Sequence, residues 1–236
     1  YSIIIPAYKS EEFIEECLES IKNQTHFSDN NKYEILLGID SCNSTLEKVK
    51  EIKNSYENLR IFYFKNNNGP YITKNALIPL ARYNRILLFD SDDLMMENMI
   101  TEINNKMIEG FDVCRFKYSD FENNTITNNK SRRVADGVVC NNKKVHEVLG
   151  GFESWPVGAD SDFKFNSDER FKVAEIDAPL FFRRIHKDSL TKKADTGKKS
   201  ELRQKYIREI RRRQSSGYYK NAKKNKILQV DYEEIH

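Results

Sequence analysis

The sequence predicts an α/β domain built on a mostly parallel central sheet with helices on both faces, and three observations carry that reading. Short β-branched runs alternate with helix-period segments through the first 110 residues, and alternation at this pace implies βαβ units. A chain of 236 residues suffices for one large domain, or a domain with a small appendage. With 39% hydrophobic and 32% charged residues, the composition is globular and excludes a disordered chain. The longest apolar runs, such as Ile86 to Phe89, are strand-sized and fall far short of the roughly 20 residues of a bilayer span.

Each element follows from its pattern. Ser2 to Ile5 reads as a strand stopped by Pro6. Ser10 then caps a helix in which Phe13, Ile14, Cys17, Leu18 and Ile21 recur at three- and four-residue spacing. Tyr33 to Ile39 is a second buried strand, followed by a helical pattern through Leu46, Val49 and Ile52. Leu59 to Phe64 is a third strand, ended by a polar loop from Lys65 to Pro70. A helix is expected from Tyr71 to Ala81, a fourth strand from Arg85 to Phe89, and a further helix from Met95 to Met107. Beyond Phe111 the rhythm changes. Val113 to Phe116 reads as a strand, Glu122 to Ser131 as a polar loop, and Gly150-Gly151-Phe152 as a turn. Asp160 to Phe165 opens a short helix, Phe171 to Arg184 forms two strands broken near Pro179, and residues 198–226 are basic and helix-prone.

Ligands of parallel α/β sheets bind at the carboxyl ends of the strands. That rule selects Pro6 to Tyr8, Asp40 to Ser44, and Asp90 to Asp93. In the last of these, Asp90-Ser91-Asp92-Asp93 directly follows an apolar strand. Three carboxylates so close repel one another unless a cation or a donor-rich ligand lies between them. Such hard oxygen ligands suit Mg²⁺ or Mn²⁺, which in turn grip the phosphates of a ligand. The alternative is a solvated acidic turn capping a helix at Leu94.

Seven ordered motifs then resemble the inverting family 2 glycosyltransferases. They are Ser2-Ile-Ile-Ile-Pro-Ala-Tyr8 with Glu11; Ser20-Ile21 through Gln24; Glu34 through Asp40; Asn68-Gly69 before Asn75; and Asp90-Ser91-Asp92, which looks like the family's DXD motif. Leu149-Gly-Gly-Phe152 with Gly158-Ala-Asp160-Ser-Asp162, and Arg183-Arg-Ile-His186-Lys-Asp-Ser189-Leu-Thr191, complete the series over about residues 1 to 191. The resemblance implies the GT-A nucleotide-sugar-binding fold. It divides the chain into a donor-binding half (1–110), an acceptor-binding and catalytic-base half (111–191) and a basic helical extension (192–236).

The resemblance also implies roles. Pro6, Ala7 and Tyr8 lie along the nucleotide base, Glu11 belongs to the same donor-binding loop, and Asp40 accepts a hydrogen bond from the base, often a uracil in relatives. The family commonly shows D-D-G-S where this chain has Ile39-Asp40-Ser41-Cys42, so only one acid is kept. Lys74 and Asn75 stand near the donor. Asp90 and Ser91 face its ribose or a metal-bound water, Asp92 binds Mn²⁺ or Mg²⁺ with Asp90, and Asp93 is the alternative ligand. His186 matches a late histidine that approaches the metal. The base that accepts the acceptor's proton is Asp160, with Asp162 as runner-up; the family's Glu-Asp pair is Ala159-Asp160 here. Trp155 is a candidate stacking platform for an acceptor ring. Each position also has a plainer role: packing for Tyr8 and Trp155, capping for Asp40, Asp160 and His186, and a solvated helix face for Lys74.

Rival chemistries lack their marks. No glycine interrupts Pro6-Ala-Tyr-Lys-Ser-Glu11, as a nucleotidyltransferase loop requires. GxGxxG is absent, and the acid cluster follows the fourth strand rather than the first, unlike the haloacid-dehalogenase phosphatases. A degenerate sugar-binding module would not be expected to keep Asp40, Asp92, Asp160 and His186 together. The expected partners are a nucleotide-sugar donor, UDP-sugar favoured, and an acceptor that no motif identifies.

Charge is uneven although the net value is only +3. Residues 183–226 hold 17 Lys/Arg against four acids, a local balance of +13. This segment offers no candidate acid, base or metal ligand beyond Thr191, and its removal is expected to spare the chemistry. A peripheral contact with anionic membrane headgroups or an acidic partner through residues 198–226 fits its charge, as does a solvated helix packed on the domain; nucleic acid is not expected. No leader segment is visible, and Cys17, Cys42, Cys114 and Cys140 form no CxxC pair, so a reduced, cytoplasmic protein is expected.

Overall fold

The β-branched runs of the first half become strands and the amphipathic segments become helices. The computed structural model describes residues 1–27, 32–122, 125–128, 134–187 and 189–236. β1 (Ser2–Ala7) leads to α1 (Ile14–Lys22), β2 (Glu34–Asp40) to α2 (Asn43–Ile52), and β3 (Leu59–Phe64) to α3 (Pro70–Leu77). β4 (Arg85–Leu88) is followed by the short β5 (Leu94–Met95) and by α4 (Met99–Ile108). The second half contributes β6 (Val113–Glu122), β7 (Thr125–Asn128), β8 (Val139–Asn142), α5 (Lys143–Leu149), α6 (Ala159–Arg170) and β9 (Val173–Arg184). α7 (Glu201–Ser215) and β10 (Tyr232–Ile235) come last.

One sheet runs in the order β10-β3-β2-β1-β4-β8-β6-β9-β5, with β7 paired to β6. Its centre, β3-β2-β1-β4, is wholly parallel, while β8 and β10 join its two sides antiparallel. Side chains of a strand alternate between faces, and two cores result. Ile3 and Ile5 pack with Ile14, Leu18 and Ile21 of α1, Val49 of α2 and Ile103 of α4. Ile4 packs on the other face with Leu77 of α3, Leu149 of α5 and Phe163 of α6. Among the described residues, no helix is long and apolar enough to cross a membrane.

Several elements depart from the sequence pattern for identifiable reasons. β1 continues through Pro6 to Ala7, because pairing with β4 extends only from Ser2 to Ile4 and the missing Pro6 N–H costs no ladder bond there. Ser10 does not cap α1 through its side chain: its hydroxyl meets Ser91 at 2.7 Å, and the helix starts at Ile14. The helix expected from Met95 starts at Met99, since Leu94 and Met95 pair with Phe182 and Phe181 of β9. β9 is one strand rather than two; Pro179 sits where its register against β6 shifts. Thr125 to Asn128, expected as loop, forms β7, and residues 123–124 and 129–131 of that stretch lie outside the described residues, as does Asp188 of the late motif.

Candidate active site

The carboxyl ends of β1, β2 and β4 meet as the parallel topology requires, and hydrogen bonds knit their loops together. Lys9 N–H donates to Cys42 Sγ at 3.3 Å, and Ser10 N–H donates to Thr45 Oγ1 at 2.9 Å. Thr45 Oγ1 donates in turn to Glu11 Oε2 at 3.0 Å. Burial opposes the charge on Glu11, but the hydrogen bonds from its own N–H, Thr45 and Ser44 prevail and hold its pKa below the usual range. Ser91, only 7% exposed, is joined to Ser10 and braces these loops. Lys9 and Ser41 adopt φ of 54° and 57°, a left-handed conformation that non-glycine residues rarely take and that the surrounding bonds must hold. Pro6 and Ala7 are buried at the strand end, whereas Tyr8 presents an exposed ring at the rim.

The loop before α3 is organised by Asp40. One carboxylate oxygen accepts from Asn68 N–H at 2.8 Å and the other from Gly69 N–H at 2.7 Å. Burial pushes the Asp40 carboxyl up, and these bonds work against the rise. Asp40 thus anchors the turn that launches α3, one turn of helix before Lys74. Asn75, beside it, is 2% exposed and gives both amide ends to Phe152: Nδ2 donates to its carbonyl and Oδ1 accepts from its N–H, each at 2.8 Å. The adjacent Gly151 has φ of 71°, and a Cβ there would lie 2.2 Å from Asn75 Oδ1. Asn75 therefore clamps the Gly-Gly-Phe turn to α3 rather than facing the cleft.

The acidic turn after β4 separates its carboxylates. Asp93 is buried and accepts from Arg184 N–H at 2.9 Å; burial, with Asp92 and Asp90 nearby, pushes its pKa well up. Asp92 Oδ2 meets His186 Nε2 at 2.8 Å. Asp90 Oδ1 accepts from Lys74 Nζ at 2.9 Å, and Lys74, itself 2% exposed, also donates to the Gly137 carbonyl at 3.3 Å. The protein packed around Asp90 raises its pKa, Lys74 opposes the rise, and the charges of Asp92 and Asp160 add to it.

Among the described residues no three His, Cys, Asp or Glu side chains converge as a metal cage. The expected trio is divided, with Asp90 turned to Lys74 and Asp92 joined to His186. A carboxylate together with phosphate oxygens and water is a set that suits Mg²⁺ or Mn²⁺, and the imidazole beside it would add a nitrogen ligand of a kind more usual for transition metals. Arg184 fixes this pair. Its Nε–H donates to the Asp92 carbonyl at 2.9 Å, its guanidinium reaches Glu16, and it lies over the rings of Phe13 and Phe121 at 5.0 and 4.8 Å.

Asp160 opens α6, entered through Gly158 at φ of 81°. Its Oδ1 accepts from the Tyr71 hydroxyl at 2.8 Å. Its Oδ2 has no hydrogen-bond partner among the described residues and faces Gly137, where a Cβ would stand 3.4 Å away. Burial first, and then Asp160, push the Tyr71 phenol well above its ordinary range, so it remains a proton donor to the carboxylate. Asp162 has a different setting. It is 1% exposed and accepts from Tyr219 at 2.6 Å and from Arg213 at 3.0 Å. Trp155 is stacked on Tyr206 with ring centres 4.7 Å apart, and Arg213 lies over its ring at 4.8 Å. Trp155 is only half-buried, so one side of its ring packs on α7 while part of it still lines a surface groove.

Lys74 and Asp90 therefore reach Asp160 through the Gly137 backbone, while Asp92, on the same acidic turn as Asp90, pairs with His186 from the segment after β9. Tyr71, Gly137 and Arg184 received no role from sequence. Tyr71 could have been found from its place directly after Gly69-Pro70, and Arg184 from its place within the late basic motif. Gly137 carries no signal at all, because only folding brings it to Asp160.

A stretch of 94 residues, 39% of the chain, is 40% identical to the poly(ribitol-phosphate) beta-glucosyltransferase of Bacillus spizizenii and covers 14% of that protein. The structure of S. aureus TarS 1-349 in complex with UDP-GlcNAc superposes with a TM-score of 0.68 at 18% identity, over 80% of this chain and 59% of that one. The mannosyltransferase PcManGT from Pyrobaculum calidifontis, in complex with GDP-Man and Mn²⁺, gives a TM-score of 0.64 at 15% identity, over 94% of this chain and 70% of that one. The chain thus spans only part of the relatives it matches, and the two structures share its GT-A fold. The model of glycosyl transferase family 2 matches residues 2–211, from β1 into α7. With the acidic turn, the glycine turn and the late histidine all inside that match, the chain belongs to glycosyl transferase family 2.

Proposed function

We propose that the protein transfers a sugar from a nucleoside diphosphate sugar, a UDP-sugar favoured, to an acceptor hydroxyl with inversion at the anomeric carbon. The observation that carries this reading is the setting of Asp160. One oxygen is held by Tyr71 while the other has no partner among the described residues and faces Gly137, whose carbonyl holds Lys74 and through it Asp90. A free carboxylate oxygen next to a buried cation and a donor-side acid is what an inverting transfer needs.

In this mechanism the acceptor oxygen bonds to the anomeric carbon as Asp160 Oδ2 takes its proton. The bond from that carbon to the diphosphate oxygen breaks, and its electron pair leaves with the nucleoside diphosphate. Tyr71 orients the base through Oδ1. Lys74 supplies positive charge where diphosphate charge grows. Asp92 and His186 would hold Mn²⁺ or Mg²⁺, which when bound neutralises charge on the leaving group. Tyr8 lies along the base, and Asp40 reaches the base with lone pairs not used by Asn68 and Gly69.

The UDP-GlcNAc complex of TarS supports a UDP-sugar, and the Mn²⁺ in the PcManGT complex supports the cation. The name of the Bacillus spizizenii relative supports a polyol-phosphate polymer as acceptor. Four cysteines without disulfides support a cytoplasmic setting.

Calorimetry with UDP- and GDP-sugars, each with Mn²⁺ and with chelator, tests donor and metal together. UDP-sugar binding is expected to need the cation and to weaken about tenfold or more in Asp92→Asn. Equal binding with chelator, or in that variant, would remove the metal from the mechanism.

A further inference from the structure

α7 carries six Lys/Arg against two Glu, and the cations divide into two groups. Arg213 is spent on the fold: its guanidinium reaches Glu153 at 2.7 Å, Asp162 at 3.0 Å and Glu209 at 3.1 Å. Lys205 and Arg208 are exposed and have no carboxylate within ion-pair distance among the described residues, while Arg212 shares Glu209 and remains 64% exposed. At 100° per residue, positions 205, 208 and 212 lie on one face, spaced by about 4.5 and 6 Å along the axis. They line a groove of about 460 Å³ whose floor is the stacked pair Trp155 and Tyr206.

This groove adjoins the catalytic helix. A Cβ on Gly158, two residues before Asp160, would stand 3.6 Å from Tyr206 Cβ, and the charge of Arg203, earlier on α7, is felt at the Tyr71 phenol that holds Asp160. A neutral glycan would gain nothing from three unpaired or half-paired cations at this spacing. A chain with a phosphate at each repeat would, since successive phosphates meet successive cations while the aromatic floor takes the intervening carbons.

We infer that the face of α7 bearing Lys205, Arg208 and Arg212 is the docking track for an acceptor polymer with phosphodiester repeats, and that it leads the acceptor hydroxyl to Asp160. This rests on the glycosyltransferase reading and adds to it the place where the acceptor is held. The three cations act by charge and take no part in the proton transfer.

The test uses the whole chain and the triple variant Lys205→Gln/Arg208→Gln/Arg212→Gln. Binding of a short synthetic oligo(ribitol phosphate) is measured beside dextran, phosphatidylglycerol vesicles and UDP with Mn²⁺. The wild type is expected to bind the oligophosphate in a salt-sensitive manner and to ignore dextran, and the triple variant to bind it about tenfold more weakly with a shallower salt dependence. Unchanged oligophosphate binding in the variant would overturn the inference. So would wild-type binding to the vesicles with none to the oligophosphate, which would make α7 a membrane contact. UDP binding separates this outcome from failure of the enzyme reading: if UDP binds and the oligophosphate does not, only the docking track is lost.

Discussion

Lys74 is the residue on which donor-side electrostatics turn. It is almost wholly buried, yet its partner Asp90 keeps 42% of its side chain open. Lys74→Met should therefore weaken UDP binding strongly in calorimetry while lowering Tm only modestly, because water can still solvate Asp90. A collapse of Tm with donor affinity retained would make Lys74 a structural cation. Arg184 offers a complementary case. Its fork binds the Asp92 carbonyl and Glu16 at once, a geometry that lysine cannot reproduce. Arg184→Lys should lower Mn²⁺-supported UDP binding about tenfold, as loss of outer support for a metal ligand does, and leave the metal-free signal unchanged. The sequence made the acids legible because three carboxylates after an apolar strand demand compensation. The family resemblance already brought Asp92 and His186 to one metal, but nothing local links Asp90 to Lys74 or Asp160 to Tyr71, which are pairs made by the fold.

At the scale of elements, α6 explains why Asp160 and Asp162 have different fates. Two residues apart on a helix are about 200° apart around its axis, so one carboxylate meets Gly137 while the other is buried against Arg213 and Tyr219. Arg213→Ala should accordingly cost stability, toward the lower end of roughly 3–5 kcal/mol because Tyr219 still supports Asp162. Urea unfolding measures this, and no change would show that the pair is dispensable. Neighbouring α5 adds a pH dependence. Burial lowers the pKa of His146 from 6.5 to about 3, and the ring stacks on Phe163 of α6. The unfolded chain binds this proton in that window and the folded chain does not. Stability from neutral His146 is therefore complete above about 6.5 and is lost as pH falls toward about 3. Tm should drop between neutral and mildly acid pH in the wild type and drop less in His146→Leu; parallel curves would contradict the assignment. α5 and β8 left little trace in the sequence, since a short helix and a four-residue strand make almost no periodicity, whereas α1, α2 and the central strands were long and regular enough to read.

Across the whole molecule, the basic tail proves to be part of the fold. β10 pairs antiparallel with β3 from Tyr232 to Ile235, Asn225 N–H donates to the Leu149 carbonyl at 2.8 Å, and α7 neutralises Asp162. The expectation of an appendage came from charge, which records solvent exposure along one face of α7 and not what its other face covers. A chain ending at Thr196 should thus lose cooperative unfolding as well as transfer. The parallel centre was legible because its strands are buried on both faces and read as continuous apolar runs; of the flanking strands, β6 and β9 were read in part, whereas the short β5, β7, β8 and β10 were not. We propose Asp160 as the base, carried by α6 to the space it shares with Lys74 and Asp90. Single-turnover transfer by Asp160→Asn, with UDP binding measured on the same sample, tests it most directly. The rate should fall by roughly two to four powers of ten with UDP affinity nearly unchanged. A rate near that of the wild type, or a loss explained entirely by failed UDP binding, would contradict the claim.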